Sequence, residues 1–366
     1  MKRRETIEVK VGNKIIGGNH PVWVQSMLKT PISRLDEALK ETEELQKAGV
    51  EILRVAVPSE KEVPYLKMYR RQVSLPLVAD IHFRASLAWA VMDAGVDKIR
   101  FNPGNTKSGE EIRKIVRAAK QSGIAIRLGV NVGSLPSEFY IAYADRMPVA
   151  MVRALLCFLK DCEAEGFDQV VLSVKSSRVK DTVEAYRMLS EQVPYPFHIG
   201  ITEAGVGEEA LLKSAMGIGA LLLDGIGDTI RVSLAGPSVD EVRVGFEILK
   251  ALELRKEGFD LIACPTCGRV RVDVVDLSQK VQKVLNQLGK PSHLIRVSVL
   301  GCEVNGPGEA RMADIGVAGG IKTSTVYFRG KPVERIPNDQ LEKVLKKYIQ
   351  ILLEDEQKGE HTHSRV

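Results

Sequence analysis

Apolar and polar positions alternate in blocks along most of this chain. From about residue 20 to 255, a short apolar run is followed by an amphipathic stretch, eight times over. The runs that read as strands are Val22–Met27, Ile52–Val57, Leu77–Ile81, Lys98–Phe101, Ile124–Val130, Gln169–Val174, His198–Ile201 and Ala220–Leu223. Helical stretches such as Leu35–Ala48, Ser108–Gln121 and Asp181–Glu191 lie between them. In the first of these, Leu35, Ala38, Leu39, Thr42 and Leu45 share one face, the 3.6-residue period of a helix packed on a core. Repeated strand–helix units of this length place their strands in parallel. Eight of them predict a (β/α)₈ TIM barrel, with a doubly wound open sheet as the competitor.

Before the repeat, Thr6–Ile16 alternates and carries a Val11-Gly12-Asn13-Lys14 turn. It predicts a hairpin that caps the barrel floor. After Gly258 the texture changes. A strand is expected at Val270–Val275, a helix at Leu277–Leu288 and a strand at Leu294–Leu300. A Gly-rich stretch (301–320) follows, then a hairpin of Ser324–Phe328 with Pro332–Ile336 and a last helix, Asp339–Leu353. The domains expected are a barrel over residues 1–255, a small α/β domain over 256–353 and a polar, frayed tail over 354–366.

Composition adds limits. Of the 366 residues 44% are hydrophobic and 27% charged, ordinary for a soluble globular chain. No apolar run approaches the roughly 20 residues that cross a bilayer, and the N-terminus lacks a signal peptide's apolar core. Cytoplasmic localisation, with no membrane association, is the expectation. A formal net charge of +5 fits a phosphate site or a nucleic-acid surface. Aromatics are only 5%, and the basic residues sit at strand ends instead of along a helix or stacking surface. Nucleic acid is therefore not an expected partner.

In a barrel the chemistry sits where the strands end. Those ends carry Arg54, Asp80, His82, Arg100, Asn102, Arg127, Asn131, Lys175 and Glu203, with Asp228, Arg231 and Ser233 after the eighth run. Any one of these can be a loop salt bridge. Five cations at one rim (Arg54, Arg100, Arg127, Lys175, Arg231) repel one another unless an anion lies among them, and arginine's planar fork suits phosphate oxygens. A phosphate or diphosphate ligand is expected. Glu203 is the lone strand-end glutamate in this mouth, either a general acid or the partner of an arginine. His82 reads equally as a base, a phosphate ligand or a packing residue.

Five cysteines in a reducing compartment do not make a disulfide framework. Cys157 and Cys162 lie in a helical segment, Pro148–Glu165, and both read as packing residues. Cys264 and Cys267 form a Cys-x-x-Cys turn, and Cys302 ends a predicted strand. Zinc normally takes four cysteine or histidine ligands, and a redox dithiol has no use for Cys302. Three cysteines with an open fourth place suit a [4Fe–4S] cluster, and Glu309 brings a carboxylate within reach. Spacing alone leaves zinc and a dithiol open.

The motifs run in a recognisable order: Gln25-Ser26-Met27, Asp80-Ile81-His82-Phe83, Arg100-Phe101-Asn102-Pro103-Gly104-Asn105, Thr202-Glu203-Ala204-Gly205, Gly227-Asp228-Thr229-Ile230-Arg231-Val232-Ser233, Cys264-Pro265-Thr266-Cys267 and Asn305-Gly306-Pro307-Gly308-Glu309. In them the chain resembles the 4-hydroxy-3-methylbut-2-enyl diphosphate synthase family, in its bacterial two-domain form. The resemblance implies reductive opening and dehydration of 2-C-methyl-D-erythritol 2,4-cyclodiphosphate, in isoprenoid precursor biosynthesis. It implies a [4Fe–4S] cluster on Cys264, Cys267, Cys302 and Glu309, with Glu309 as the replaceable ligand. Arg100, Arg127, Lys175, Arg231 and Ser233 match positions that grip the diphosphate, with Asn131 nearby, and Glu203 matches the proton donor. Ferredoxin or flavodoxin is the implied electron donor. A homodimer is implied, one subunit's cluster domain covering the other's barrel. One departure stands out: where the family has Thr-Asn-Thr after Gln25-Ser26-Met27, this chain has Leu28-Lys29-Thr30. The remaining alternative is a barrel enzyme on another phosphorylated substrate, with a structural zinc site.

Overall fold

The structure is a computed structural model that describes residues 2–81, 85–102, 109–288, 291–302 and 304–357. The chain divides into two compact units, Met1–Leu254 and Arg255–Val366.

In the first unit a hairpin, β1 (Val9–Val11) with β2 (Lys14–Ile16), precedes the repeat. Eight strands follow: β3 (Trp23–Met27), β4 (Ile52–Ala56), β5 (Leu77–Asp80), β6 (Lys98–Phe101), β7 (Ala125–Asn131), β8 (Val170–Lys175), β9 (His198–Ile199) and β10 (Thr229–Ile230). They form one parallel sheet in the order β8-β7-β6-β5-β4-β3-β10-β9. A parallel bridge, Leu172↔Phe197, links β8 to the start of β9 and brings the ring to closure. The TIM barrel is the observed fold. Its helices bury the expected stripes; Gly109–Ser122 buries Ile112, Ile115, Val116 and Ala119. The hairpin closes the floor, with Val9, Val11 and Ile16 packed on Ile52, Val78, Ala125 and Val171. Each of the three hairpin side chains is fully buried, which stabilises by about 1.5–3 kcal/mol apiece.

Three sequence expectations for this unit are corrected. Ala220–Leu223 is the last turn of the helix Gly207–Leu223, and the eighth strand is Thr229–Ile230. A two-residue strand is too short to show a period, so the apolar helix end took its place. As a result Asp228 lies before the eighth strand, at the floor, where it pairs with Arg3 at 2.7 Å and accepts from the Phe197 N–H. Cys162 is buried as expected, but Cys157 is exposed. Five positions along a helix turn the side chain by about 140°, so the two cannot share a face.

The second unit is a five-stranded sheet, β11 (Gly258–Ala263), β12 (Leu294–Leu300), β13 (Ile315–Ala318), β14 (Thr323–Phe328) and β15 (Lys331–Pro337), in that order. The first three run parallel and the last two form the expected hairpin. Its core joins Val297, Val299, Ile315 and Val317 to Val281 and Leu285 of one helix and Leu345 and Ile349 of another. Val270–Val275 is not a strand; a turn leads into the helix Val274–Gln287, and β11 supplies the extra strand. The Gly-rich stretch contains a short helix, Gly306–Met312, as well as β13. The last helix, Leu341–Gln357, enters the stretch read as a frayed tail.

Candidate active site

Strand register builds the barrel site. Across β5, β6 and β7, Asp80 lies opposite Arg100, and Arg100 opposite Arg127. Asp80 binds Arg100 at 2.9 Å and reaches Arg54 of β4 at 3.7 Å. Arg54 also donates to the Met27 sulfur at 2.8 Å. At the end of β10, Arg231 meets Glu241 with both Nε and an Nη at 3.2 Å. Gly200 is needed because a Cβ there would lie 2.4 Å from the Arg231 carbonyl oxygen and 3.1 Å from Lys175 Nζ.

All the cations of this ring except Arg231 are at least nine-tenths buried, Arg127 to 2% exposure. Burial is the largest influence on Arg54, Arg127 and Lys175. It lowers Arg54 to about 9, against the opposing pull of Asp80, and Arg231 and Arg100 push the same way. Arg127 and Lys175 fall well below their ordinary values, through burial first and then through the neighbouring guanidiniums. Burial would raise the Asp80 carboxyl, but Arg54 and Arg100 overcome it and hold the group below the usual range. Among the described residues, four arginines and Lys175 thus face two carboxylates, Asp80 and Glu241, and Glu241 serves Lys29 as well. An anion among them removes the repulsion and needs little rearrangement.

Around the ring, Asn102 is buried at the end of β6 and donates to Ser134, in the loop after Asn131. Asn131 and Ser233 are half-buried. Glu203 follows β9 on the exposed surface with a backbone φ of +51°. That left-handed conformation costs a non-glycine residue on the order of 1–3 kcal/mol, and such strain gathers at functional sites. Arg231 is taken by Glu241, and no arginine partner stands against Glu203 among the described residues. His82 lies outside the described residues. The departure at Lys29 has a structural role: its ammonium binds Glu241 at 3.4 Å, Leu234 O at 3.0 Å and Gly236 O, tying the first loop to the last.

Three site residues escaped the sequence reading. Glu241 sits in the first turn of the helix Ser238–Ala251 and reads there as an ordinary complement to the helix dipole. Lys98 and His198 open β6 and β9 and point inward, fully buried. The signal for both was period two: Lys98, Arg100 and Asn102 alternate with Ile99 and Phe101, as His198 and Gly200 do with Ile199 and Ile201.

In the second unit, Cys264, Cys267, Cys302 and Glu309 line one cavity of about 320 Å³. Pro265 and Thr266, the latter at φ +65°, make the turn between the first two cysteines. The Cys302 thiol is lowered by the Asn305 and Val304 N–H groups, with Gly306 adding a third, so it favours the thiolate that binds metal. Among the described residues, no three acidic, histidine or cysteine side chains converge tightly enough to hold a single ion. Ligands spread around a cavity suit a polynuclear cluster, in which each binds a different iron. Three thiols and a carboxylate around one cavity are a donor set that can hold an iron–sulfur cluster.

Residues 6–246 match the GcpE TIM-barrel domain, and residues 260–351 the GcpE protein C-terminal domain. A 4-hydroxy-3-methylbut-2-en-1-yl diphosphate synthase (flavodoxin) from Caldanaerobacter subterraneus subsp. tengcongensis is 47% identical over 97% of this chain and 99% of its own length. Proteins of the same name from Acidithiobacillus ferrooxidans and Clostridium perfringens are 45% and 43% identical. The matches cover 99% of this chain and 98% of the first protein, and 96% of this chain and 100% of the second. Among solved structures, a dihydropteroate synthase from Yersinia pestis superposes with a TM-score of 0.50 at 16% identity, over 68% of this chain and 98% of its own. That likeness concerns the barrel fold alone. Both domain matches and the near-complete relatives agree with the site geometry: the chain belongs to the GcpE family, the 4-hydroxy-3-methylbut-2-en-1-yl diphosphate synthases.

Proposed function

We propose that this chain is an iron–sulfur oxidoreductase that opens and dehydrates 2-C-methyl-D-erythritol 2,4-cyclodiphosphate to (E)-4-hydroxy-3-methylbut-2-enyl diphosphate. The observation that carries the reading is the buried cation ring, in which, among the described residues, Asp80 pairs with Arg54 and Arg100, Glu241 pairs with Arg231, and Arg127 and Lys175 have no ion-pair partner. The reaction takes two electrons and one proton. A carbon–oxygen bond to phosphate breaks and leaves its oxygen on phosphorus, and a hydroxyl departs as water.

Arg100, Arg127, Lys175, Arg231 and Ser233 hold the diphosphate, with Asn131 and Asn102 at its edge. Arg54, tied to Asp80, completes the field. Glu203 gives the departing hydroxyl its proton from the exposed rim, where a carboxyl can be reprotonated from solvent. Cys264, Cys267, Cys302 and Glu309 hold a [4Fe–4S] cluster, with Glu309 as the exchangeable ligand. Bound there, the cluster supplies electrons singly and a Lewis-acid iron. Flavodoxin, which appears in the relatives' names, is the donor proposed for this chain. The enzyme acts as a cytoplasmic homodimer. Among the described residues, no helix is long and apolar enough to cross a membrane.

The test is anaerobic purification followed by iron and sulfide analysis. The expected protein is brown, holds iron and sulfide in equal amounts and loses activity as it bleaches in air. A colourless, zinc-loaded protein with full activity contradicts the reading.

A further inference from the structure

Below the cation ring the barrel is polar where such barrels normally pack branched apolar side chains. Among the described residues, four buried polar atoms from three strands of this layer have no hydrogen-bond partner, both amide atoms of Gln25, Lys98 Nζ and His198 Nε2, and in the ring above neither do Arg100 Nε and Arg127 Nε. Lys98 and His198 are 0% exposed and Gln25 is 1% exposed. His198 spends its other ring nitrogen on Thr229, at 2.8 Å. An unpartnered ammonium in such a place costs several kcal/mol, whereas a neutral amine costs far less.

The charged groups that face Lys98 are Arg54 and Arg127. His198 lies across the barrel from it. Asp80 of the adjoining β5 is taken by Arg54 and Arg100, and Asp97, next to Lys98 in the chain, by Arg70 and the Leu77 N–H. Asp93, on the helix packed outside β6, is exposed and bound to Lys67. Among the described residues, the carboxylates on the neighbouring elements are paired with other cations, and Lys98 has no ion-pair partner. Burial, then Arg127 and Arg54, hold its amine well below the ordinary lysine value.

We propose that Lys98 takes up a proton when the cyclic diphosphate enters the barrel, and balances the anion from the layer beneath the ring. This rests on the diphosphate reading of the same barrel. Each phosphorus of a cyclic diphosphate carries a single, strongly acidic oxygen, so the ligand is a dianion across the neutral range and releases or binds no proton itself. Its two charges offset two of the three positive charges by which four guanidiniums and Lys175 exceed Asp80 and Glu241, so the field that adds to burial in keeping Lys98 neutral weakens. Lys98 is thus a positioning residue, one that sets the charge under the substrate without touching the reacting atoms.

The test uses oxidised holoenzyme without reductant, which binds the substrate and does not consume it. Calorimetry in buffers of different ionisation enthalpy counts the protons taken up on binding, for wild type and Lys98→Met. Wild type should bind about one proton more than the variant near neutral pH. Its affinity should also fall with rising pH more steeply than the variant's. Equal proton counts overturn the proposal and leave the diphosphate reading standing. Absence of binding by wild type overturns both. In wild type alone, carbon-13 labelling of the lysine ε position gives an independent reading if the variant does not fold. One lysine signal should shift from the amine to the ammonium position as substrate saturates the site. A spectrum with no such signal overturns the proposal.

Discussion

The barrel mouth and the cysteine cavity solve opposite problems. In the barrel the functional groups are charged, buried and set by strand register; Arg100 lies between Asp80 and Arg127 because three neighbouring strands place it there. The cavity's groups stand on turns and at a strand end, with Cys267 exposed, Cys264 half-buried and Cys302 buried. The barrel is built before its ligand arrives and carries the repulsion of its own cations until then. On the proposed function, a cluster bound in the cavity would give it its final geometry, because metal–ligand bonds are strong enough to order loop residues. On the same reading, preorganisation would belong to substrate binding, and dependence on an inorganic cofactor to the small unit.

The largest expected effect separates the two. Cys302→Ser removes a cluster ligand and should abolish turnover, while the barrel still binds the cyclic diphosphate. Calorimetry on the variant checks this, and lost binding would mean that the two functions are not separable. Glu203→Gln should leave substrate affinity within about threefold and lower kcat by about 10²–10⁴-fold, the usual worth of a general acid. Steady-state kinetics with a direct binding measurement decides it; a pure rise in KM would make Glu203 a positioning group.

Asp80→Asn sharpens the barrel half. It leaves Arg54 and Arg100 buried beside a neutral amide and should destabilise the ligand-free unit by about 3–5 kcal/mol. Denaturant unfolding measures the loss, and bound diphosphate should restore part of it. No restoration would show that the ring is not an anion site.

The smallest effect is in pH. His198 is lowered by burial first and then by Lys175 and Arg127. Below about pH 6.5, the unfolded histidine binds a proton that the folded one refuses. Stability is thus fully present above that value and falls as pH drops, by at most about 1.4 kcal/mol per unit for this group. Denaturant midpoints for wild type and His198→Gln should diverge below about pH 6.5; parallel curves would mean His198 is not held neutral.

The fold was legible wherever a period had room to repeat. Leu35–Lys47 and Gly109–Ser122 show their stripes in full, and Leu294–Leu300 was bounded to the residue. Thr229–Ile230 offers two residues and no period, so the apolar end of the preceding helix stood in for it, and Asp228 was assigned to the wrong end of the barrel. Val270–Val275 is β-branched in composition, yet Asp273 caps a helix by accepting from the Asp276 N–H. A capping hydrogen bond outweighed the propensity of four valines. The ring's cations were visible because strand-end arginines are unusual in any barrel. Glu241 was not, since a first-turn glutamate has an ordinary use, and its pairing with Arg231 and Lys29 depends on how the chain closes on itself.

The most direct measurement is turnover of 2-C-methyl-D-erythritol 2,4-cyclodiphosphate by anaerobically reconstituted protein, with a one-electron donor such as reduced flavodoxin. The expected result is product formed only when cluster and reductant are both present, with two electrons consumed per molecule. Product formed without reductant, or by protein carrying zinc in place of the cluster, would contradict the account.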